Sequence, residues 1–330
     1  MSTPANGRRG CTFVGAGHAS ERPRPAVSPD LINTLAGRLS ARDLWLLELL
    51  HEHRVLTTGQ IRELAFNTIS AATHRMLTLW RLCAVERFRP AVPTGSAPLH
   101  YLLGPAGAHI LARRRNLTIH QLGYRTDHTL AIATSDKLAH LTGSNSLFTA
   151  LIAHARTHPG TRLEAWWSEH RCANVWGKIA RPDGYGRWRE HHPTTSRAAN
   201  RAPNRSAGRT VDFFTEYDTG TEPLHRLIHK IGDYQTLAEM TGINHTPVLF
   251  ALPNPAREQH LHTRTHTTNT TLLIATTTPN ALQAAGGPAG PAWWPIATPK
   301  GTRRRLINLT RPHTPRGADA PAGHPTGDSR

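Results

Sequence analysis

The sequence predicts an α/β chain: a helical segment closed by a β-hairpin, followed by a mixed-sheet region. Three observations carry this reading. Apolar residues recur at helical spacing in three successive stretches between residues 40 and 84. Two short apolar runs around the turn PTGSAP follow them, as a hairpin requires. From residue 128 to 300, apolar runs of strand length alternate with amphipathic stretches, the pattern of an α/β sheet.

In the first region, SARDLWLLELLHEHR (40–54) places Leu44, Leu47 and Leu50 on one helical face, with Ser40 as N-cap. TTGQIRELAF (57–66) opens on capping threonines and is a short second helix. SAATHRMLTLWRLCA (70–84) follows with Ser70 as its cap and Ala72, Met76 and Leu79 on its inner face. VERFRPAV (85–92) and LHYLLG (99–104) form the hairpin. PAGAHILARRR (105–115) is a helix with Pro105 in its first turn and a basic end that suits the macrodipole. Helix, helix, helix, hairpin, helix is the order of a winged helix-turn-helix. A third helix of this kind lies in the major groove of duplex DNA while the hairpin follows the backbone. Thr73, His74 and Arg75 are then expected to reach base edges or phosphates, and Arg81, Arg87 and Arg89 to hold phosphates.

NLTIHQLGYRTDH is the expected junction between a first folded region at 39–125 and a second at 128–300. Residues 128–159 read as helical and TRLEAWWSEH (161–170) as a strand. IARPDGYGRWRE (179–190) carries a tight PDG turn, and 191–209 is an Arg- and Asn-rich insertion. VDFFTEYD (211–218) is a strong strand and PLHRLIHKIGDYQTLAEM (223–240) an amphipathic helix. TPVLFALP (246–253) and TLLIATTT (271–278) read as buried strands. Residues 1–38 and the tail from about 310 to 330 are rich in Gly, Pro and Arg without apolar periodicity, so both are expected to be disordered.

The 330 residues carry 39 Lys and Arg against 22 Asp and Glu, a formal net charge of +17. That excess favours a polyanion, because cations that neutralise phosphates release counterions. Arginine far outnumbers lysine, as in GC-rich coding sequences, which weakens the inference from charge alone. No stretch reaches the roughly 20 apolar residues of a membrane span. Arg8-Arg9 lacks the apolar segment and cleavage site of a twin-arginine signal. Cys11, Cys83 and Cys172 form neither a disulfide framework nor a C-x-x-C pair, so a cytoplasmic location is the expectation. No G-x-x-x-x-G-K-[ST] loop supports nucleotide use.

The apolar run at 211–214 leads into Glu216, Asp218 and Glu222. Residues 216 and 218 project from one face of an extended chain, and two like charges there need compensation. A hairpin from the PDG turn would bring Asp183 beside Glu216. Three converging carboxylates, Asp183, Glu216 and Asp218, would suit Mg²⁺ and phosphodiester chemistry. Blander roles exist: Asp218 as a turn residue, Thr221 as N-cap and Glu222 in the first turn of the next helix. Glu216, inside the strand, has no such role.

RPDGYGRW followed by FFTEYDTGTEPLHRLIHKIGDYQTLAE, behind the helix-and-hairpin segment, resembles the actinobacterial replication-relaxation proteins over residues 39–255. The resemblance implies a role with plasmid or mobile-element DNA, alongside replication or mobilisation proteins, and a restriction-endonuclease-like core. On that pattern Pro182-Asp183 is the first acidic motif and Glu216 the second. The pattern's lysine is replaced by Asp218; Lys230, on the following helix, is the substitute if it points back at the sheet. The alternative is a non-enzymatic DNA-binding regulator or adaptor with a degenerate nuclease-like domain. A third constellation, His260-Leu261-His262 with Tyr234, has the residue types of a relaxase, though its order and spacing match no defensible arrangement. His260, His262 and His266 are zinc-ligand types without an accompanying cysteine. Trp166-Trp167 and Trp293-Trp294 are candidates for base stacking, with one of each pair expected in the core.

Overall fold

The computed structural model describes residues 11–12, 24–92, 94–191, 208–243, 245–265, 272–296 and 298–310. Most of the insertion expected at 191–209, His266 and residues 311–330 lie outside the described residues. The chain folds as mixed helix and sheet, as its periodicities require.

Strand β1 is Cys11–Thr12 and helix α1 is Pro29–Ala36. Then come α2 (Ala41–His53), β2 (Leu56–Thr57), α3 (Thr58–Ala65), α4 (Ile69–Arg81), β3 (Val85–Pro90), β4 (His100–Leu103) and α5 (Pro105–Arg114). The helix, helix, helix, hairpin, helix order expected over 40–115 is present. Ser40 and Thr57 each build a capping box, closing orphan N–H groups at two helix starts. The cap of α4 is Thr68, not Ser70: its hydroxyl accepts from Ala71 N–H, and the helix starts two residues earlier than a Ser70 cap would place it.

Residues 24–38 are not the disordered segment the composition predicts. Ser28 caps α1, and Ile32 and Leu35 are buried in the same core as Leu46, Leu50, Met76 and Leu111. Burying such side chains contributes about 1.5–3 kcal/mol each, enough to hold a helix too short to show a clear period. The expected junction is also packed. Helices α6 (Ile119–Leu122) and α7 (Thr126–Leu130) lie there, and Leu122 joins the N-terminal core.

A single 20-residue helix, α8 (Leu138–Thr157), leads into the second sheet. That sheet contains β5 (Thr161–Ser168), β6 (Gly184–Glu190), β7 (Arg209–Tyr217), β8 (Val248–Ala251), β9 (Ile274–Thr277) and β10 (Trp294–Pro295), ordered β10-β9-β8-β7-β6-β5. β5, β6 and β7 are antiparallel, whereas β7, β8 and β9 run parallel, linked by α10 (Leu224–Thr241) and α11 (Pro255–Thr265). α9 (Glu169–Trp176) follows β5, and α12 (Pro279–Ala284) follows β9. Alternation along β7 sends Val211 and Phe213 to one face, with Leu147, Phe148 and Leu151 of α8. It sends Phe214 to the other, with Leu227, Ile231 and Tyr234 of α10. Both crossover helices lie on this second face, giving a three-layer arrangement.

Helix α8 ties the sheet to the N-terminal core. Gln60 donates to Thr142 O at 2.7 Å, Thr149 to Glu63 Oε2 at 2.7 Å, and Asn145 to Val55 O at 2.9 Å. Arg156 donates to the carbonyls of Arg62, Glu63 and Phe66, closing the C-terminal end of α3. Gly143 lets α8 cross the sheet closely; a Cβ there would lie 2.2 Å from the Tyr217 ring. Trp166 fills the seam, stacked between His53 at 3.6 Å and Phe148 at 5.2 Å.

Burial holds the His53 imidazole neutral down to about pH 3. The unfolded chain binds that proton near the ordinary histidine value, so stability is lost as pH falls from about 6.5 towards about 3. The expected size is about 3 kcal/mol by about pH 4. Thermal melts of His53→Phe, which keeps the stack on Trp166, should show a shallower acid loss than the parent. Superimposable acid profiles would contradict it.

Candidate functional site: the acidic cluster and the outer face of α4

β7 ends with Glu216 one residue before its terminus, on the face covered by α10. Gly184 pairs with Thr215, so continuing the register by one step sets Asp183 opposite Glu216. The hairpin expected between the PDG turn and β7 thus forms. Asp183 N–H donates to Thr215 O at 3.1 Å, and Asp183 Oδ2 accepts from Tyr217 N–H at 2.7 Å. Its other oxygen lies 3.1 Å from His140 Nε2 on α8. Burial works against a charged His140, but Asp183 outweighs it and raises the imidazole pKa.

Lys230 does point back at the sheet. Its Nζ lies 2.6 Å from Glu216 Oε2, and Tyr234 Oη donates to Oε1 at 2.5 Å. Lys230 and Tyr234 are four apart on α10 and so share one helical face. Glu216 is 1% exposed. Burial, with Asp183 adding to it, pushes the Glu216 carboxyl up to about 8 against the pull of Lys230. Burial also works against the Lys230 ammonium, but Glu216 and Asp183 outweigh it and raise its pKa. Lys230 is half-buried and stays charged, and burial makes the adjoining Glu216 carboxyl hold its proton to unusually high pH.

Asp218 does not join this cluster. It lies just past the end of β7, where the chain turns through Gly220 (φ +83°), whose N–H donates to Asp218 Oδ1 at 2.8 Å. Its carboxylate is taken by Arg257 of α11, which also donates to Glu222 O. The turn role is therefore the one Asp218 fills. The neighbouring expectations fail. Pro223, not Thr221, precedes α10, and Glu222 lies outside its first turn.

The three expected Mg²⁺ ligands, Asp183, Glu216 and Asp218, are therefore each engaged by a different side chain. Each carboxylate meets a cationic side chain of this chain, and Glu216 is sealed beneath α10. Among the described residues no group of three or more His, Cys, Asp or Glu side chains is placed to hold a metal ion. As arranged, these residues do not fit Mg²⁺, which needs several oxygen ligands in octahedral array. Beside the cluster lies a cleft lined by Lys137, His140, Arg181, Asp183, Tyr217 and Lys230, among others.

The His-x-His constellation also dissolves. His262 is buried in α11, stacked on Trp294 at 3.6 Å, and shares a hydrogen bond with Thr276. Tyr234 is interior, bonded to Glu216. Trp293 and Trp294 are both buried, so neither is a stacking platform. Trp167 is half-buried, stacked with Trp176 and covered by Arg171.

On α4, Ala72, Met76, Leu79 and Trp80 face the core, while Ser70, Ala71, His74, Thr78 and Arg81 are exposed and Thr73 is half-buried. Two expected DNA-contacting arginines are engaged internally. Arg75 donates to Asp43 Oδ1 at 2.9 Å and Oδ2 at 2.5 Å, and to Arg38 O. Asp43 is buried, so it must be compensated. Arg87 is buried with its guanidinium 3.8 Å from the Trp80 ring centroid. Arg89 donates to Ala97 O at 2.7 Å and steadies the β3–β4 turn. In their place Arg38 and Arg42 are exposed beside α4: Arg38 through its Arg75 contact, Arg42 over the Phe66 ring at 4.4 Å. Neither carries a motif; the contacts of Arg75 with Asp43 and Arg38 O, and of Arg42 with Phe66, bring them there. No acidic residue stands on α4, and the nearby Glu86 is paired with Arg24.

Between about pH 4.5 and about 8 the folded state holds a Glu216 proton that the unfolded chain has released, so stability falls as pH rises through that window. Glu216→Gln keeps the shape and cannot titrate. Its melting temperature relative to the parent should rise by at least about 4 °C from about pH 5 to about pH 8. Parallel curves would mean that Lys230 keeps the carboxyl ionised throughout.

A family model described as replication-relaxation matches residues 47–249. No curated protein and no solved structure matches the chain.

Proposed function

This chain belongs to the replication-relaxation family, and from that premise we propose that it is a duplex-DNA-binding protein of plasmid or mobile-element replication. The segment 39–125 acts as a winged helix-turn-helix. The sheet domain is a restriction-endonuclease-like scaffold serving as a non-enzymatic adaptor for replication or mobilisation proteins. The observation that carries the first half is the outer face of α4, solvent-exposed and free of carboxylates. Arg38, Arg42 and Arg81 stand around it to meet phosphates, and α3 braces it from behind. The second half rests on the engagement of the Asp183, Glu216 and Asp218 carboxyl groups by His140, Lys230 and Arg257. Among the described residues no helix is long and apolar enough to cross a membrane.

Binding should be strong at low salt and weaken steeply as salt rises. Arg38→Ala, Arg42→Ala and Arg81→Ala should each weaken it on every duplex tested and lower the salt slope by roughly one. A titration followed by fluorescence anisotropy reads both. Absence of duplex binding at low salt would defeat the proposal. Supercoiled plasmid incubated with the protein and Mg²⁺, Mn²⁺ or EDTA should stay supercoiled. Metal-dependent nicking that disappears in Glu216→Gln would replace the adaptor reading with a nuclease built on Asp183, Glu216 and Lys230.

A further inference from the structure

Ile69 is the first residue of α4 and is 49% exposed. It joins none of the hydrophobic clusters of the protein. A large aliphatic side chain held in water at a helix start makes no contribution to the fold that the packing reveals. The exposed positions next to it are Asn67, Thr68, Ser70, Ala71 and, one turn on, His74; Asn67 is already held by Arg156. The side chains that read guanine or adenine by paired hydrogen bonds are arginine, lysine, asparagine and glutamine. None stands outward on the first two turns of α4. Arg75, the one such residue there, is locked on Asp43.

What remains for base edges on those turns is mostly aliphatic and hydroxyl surface. In the major groove the apolar feature that distinguishes one base from the rest is the 5-methyl group of thymine. Residues at the N-terminal end of a recognition helix are the ones that reach base edges. We infer that Ile69 and Ala71 read thymine methyl groups, so that this protein selects duplexes with thymines at fixed positions. Arg42, exposed beside that end of α4 over Phe66, and Arg38, exposed further along it beside Arg75, then hold flanking phosphates. This inference rests on α4 docking in the major groove and names what it would recognise there.

The test starts from a random-sequence duplex pool selected with the full-length protein. The best-bound duplex is then resynthesised with deoxyuridine in place of individual thymidines, which removes only the methyl group. Each contacted methyl should be worth about fourfold in affinity, the transfer value of one buried methylene. Ile69→Ser, a change at an exposed site outside the core, should bind the thymidine duplex about as weakly as the parent binds the deoxyuridine one. In that variant the two bases at the Ile69-contacted position should no longer be distinguished, the non-additivity expected of a direct contact. Selection of a sequence whose affinity is indifferent to uridine would overturn the inference. So would duplex binding with no sequence enriched, although DNA binding itself would stand. No duplex binding at all would remove both.

Discussion

Buried carboxylates are the constraint on which the rest of this structure depends. Asp43, Glu190, Glu216, Asp218 and Glu258 are each at most 5% exposed. They meet Arg75, Arg305, Lys230, Arg257 and Arg303 respectively. An unpaired buried charge costs several kcal/mol, so each acid must find a base or keep its proton. The bases come from elements distant in sequence. Each pair therefore fixes a long-range contact: α4 against α2, α10 against β7, α11 against the turn after β7, and the C-terminal segment against β6 and α11.

This constraint redistributes the charges that look functional in a linear reading. Arg75 looks like a phosphate ligand until Asp43 lies beneath it. Asp218 looks like a metal ligand until Arg257 reaches it. Glu216 does meet Asp183, but Lys230 and Tyr234 close over it from α10. Other cations, Arg38, Arg42 and Arg81 among them, stay exposed on the outside.

Helix α8 makes the two parts of the chain mechanically continuous. One side packs on the sheet through Leu147, Phe148 and Leu151, and the other bonds α3 through Thr142, Thr149 and Arg156. α3 in turn packs against α4. The sheet and the exposed helix are thus joined through packed side chains rather than through a linker. His140, on the same α8, touches Asp183 at the acidic cluster.

Local chemistry was legible without a structure. Ser40, Thr57 and Pro105 marked helix starts, and helical and strand periods placed most elements. The PDG turn and the strand at 211–218 led to the expectation that Asp183 lies beside Glu216, and the register of β6 on β7 sets it there. The sequence by itself therefore determined which segments are helix or strand, which faces are buried, and that Glu216 needs compensation. Only the tertiary structure decided which cation supplies it, that α1 and α6 pack onto the N-terminal core, and that Arg75, Arg87 and Asp218 point inward. The physical reason is the range of the interactions. Propensity, capping and alternation act within a few residues, whereas a buried charge is satisfied by whatever partner the fold brings within hydrogen-bonding distance, from any point along the chain.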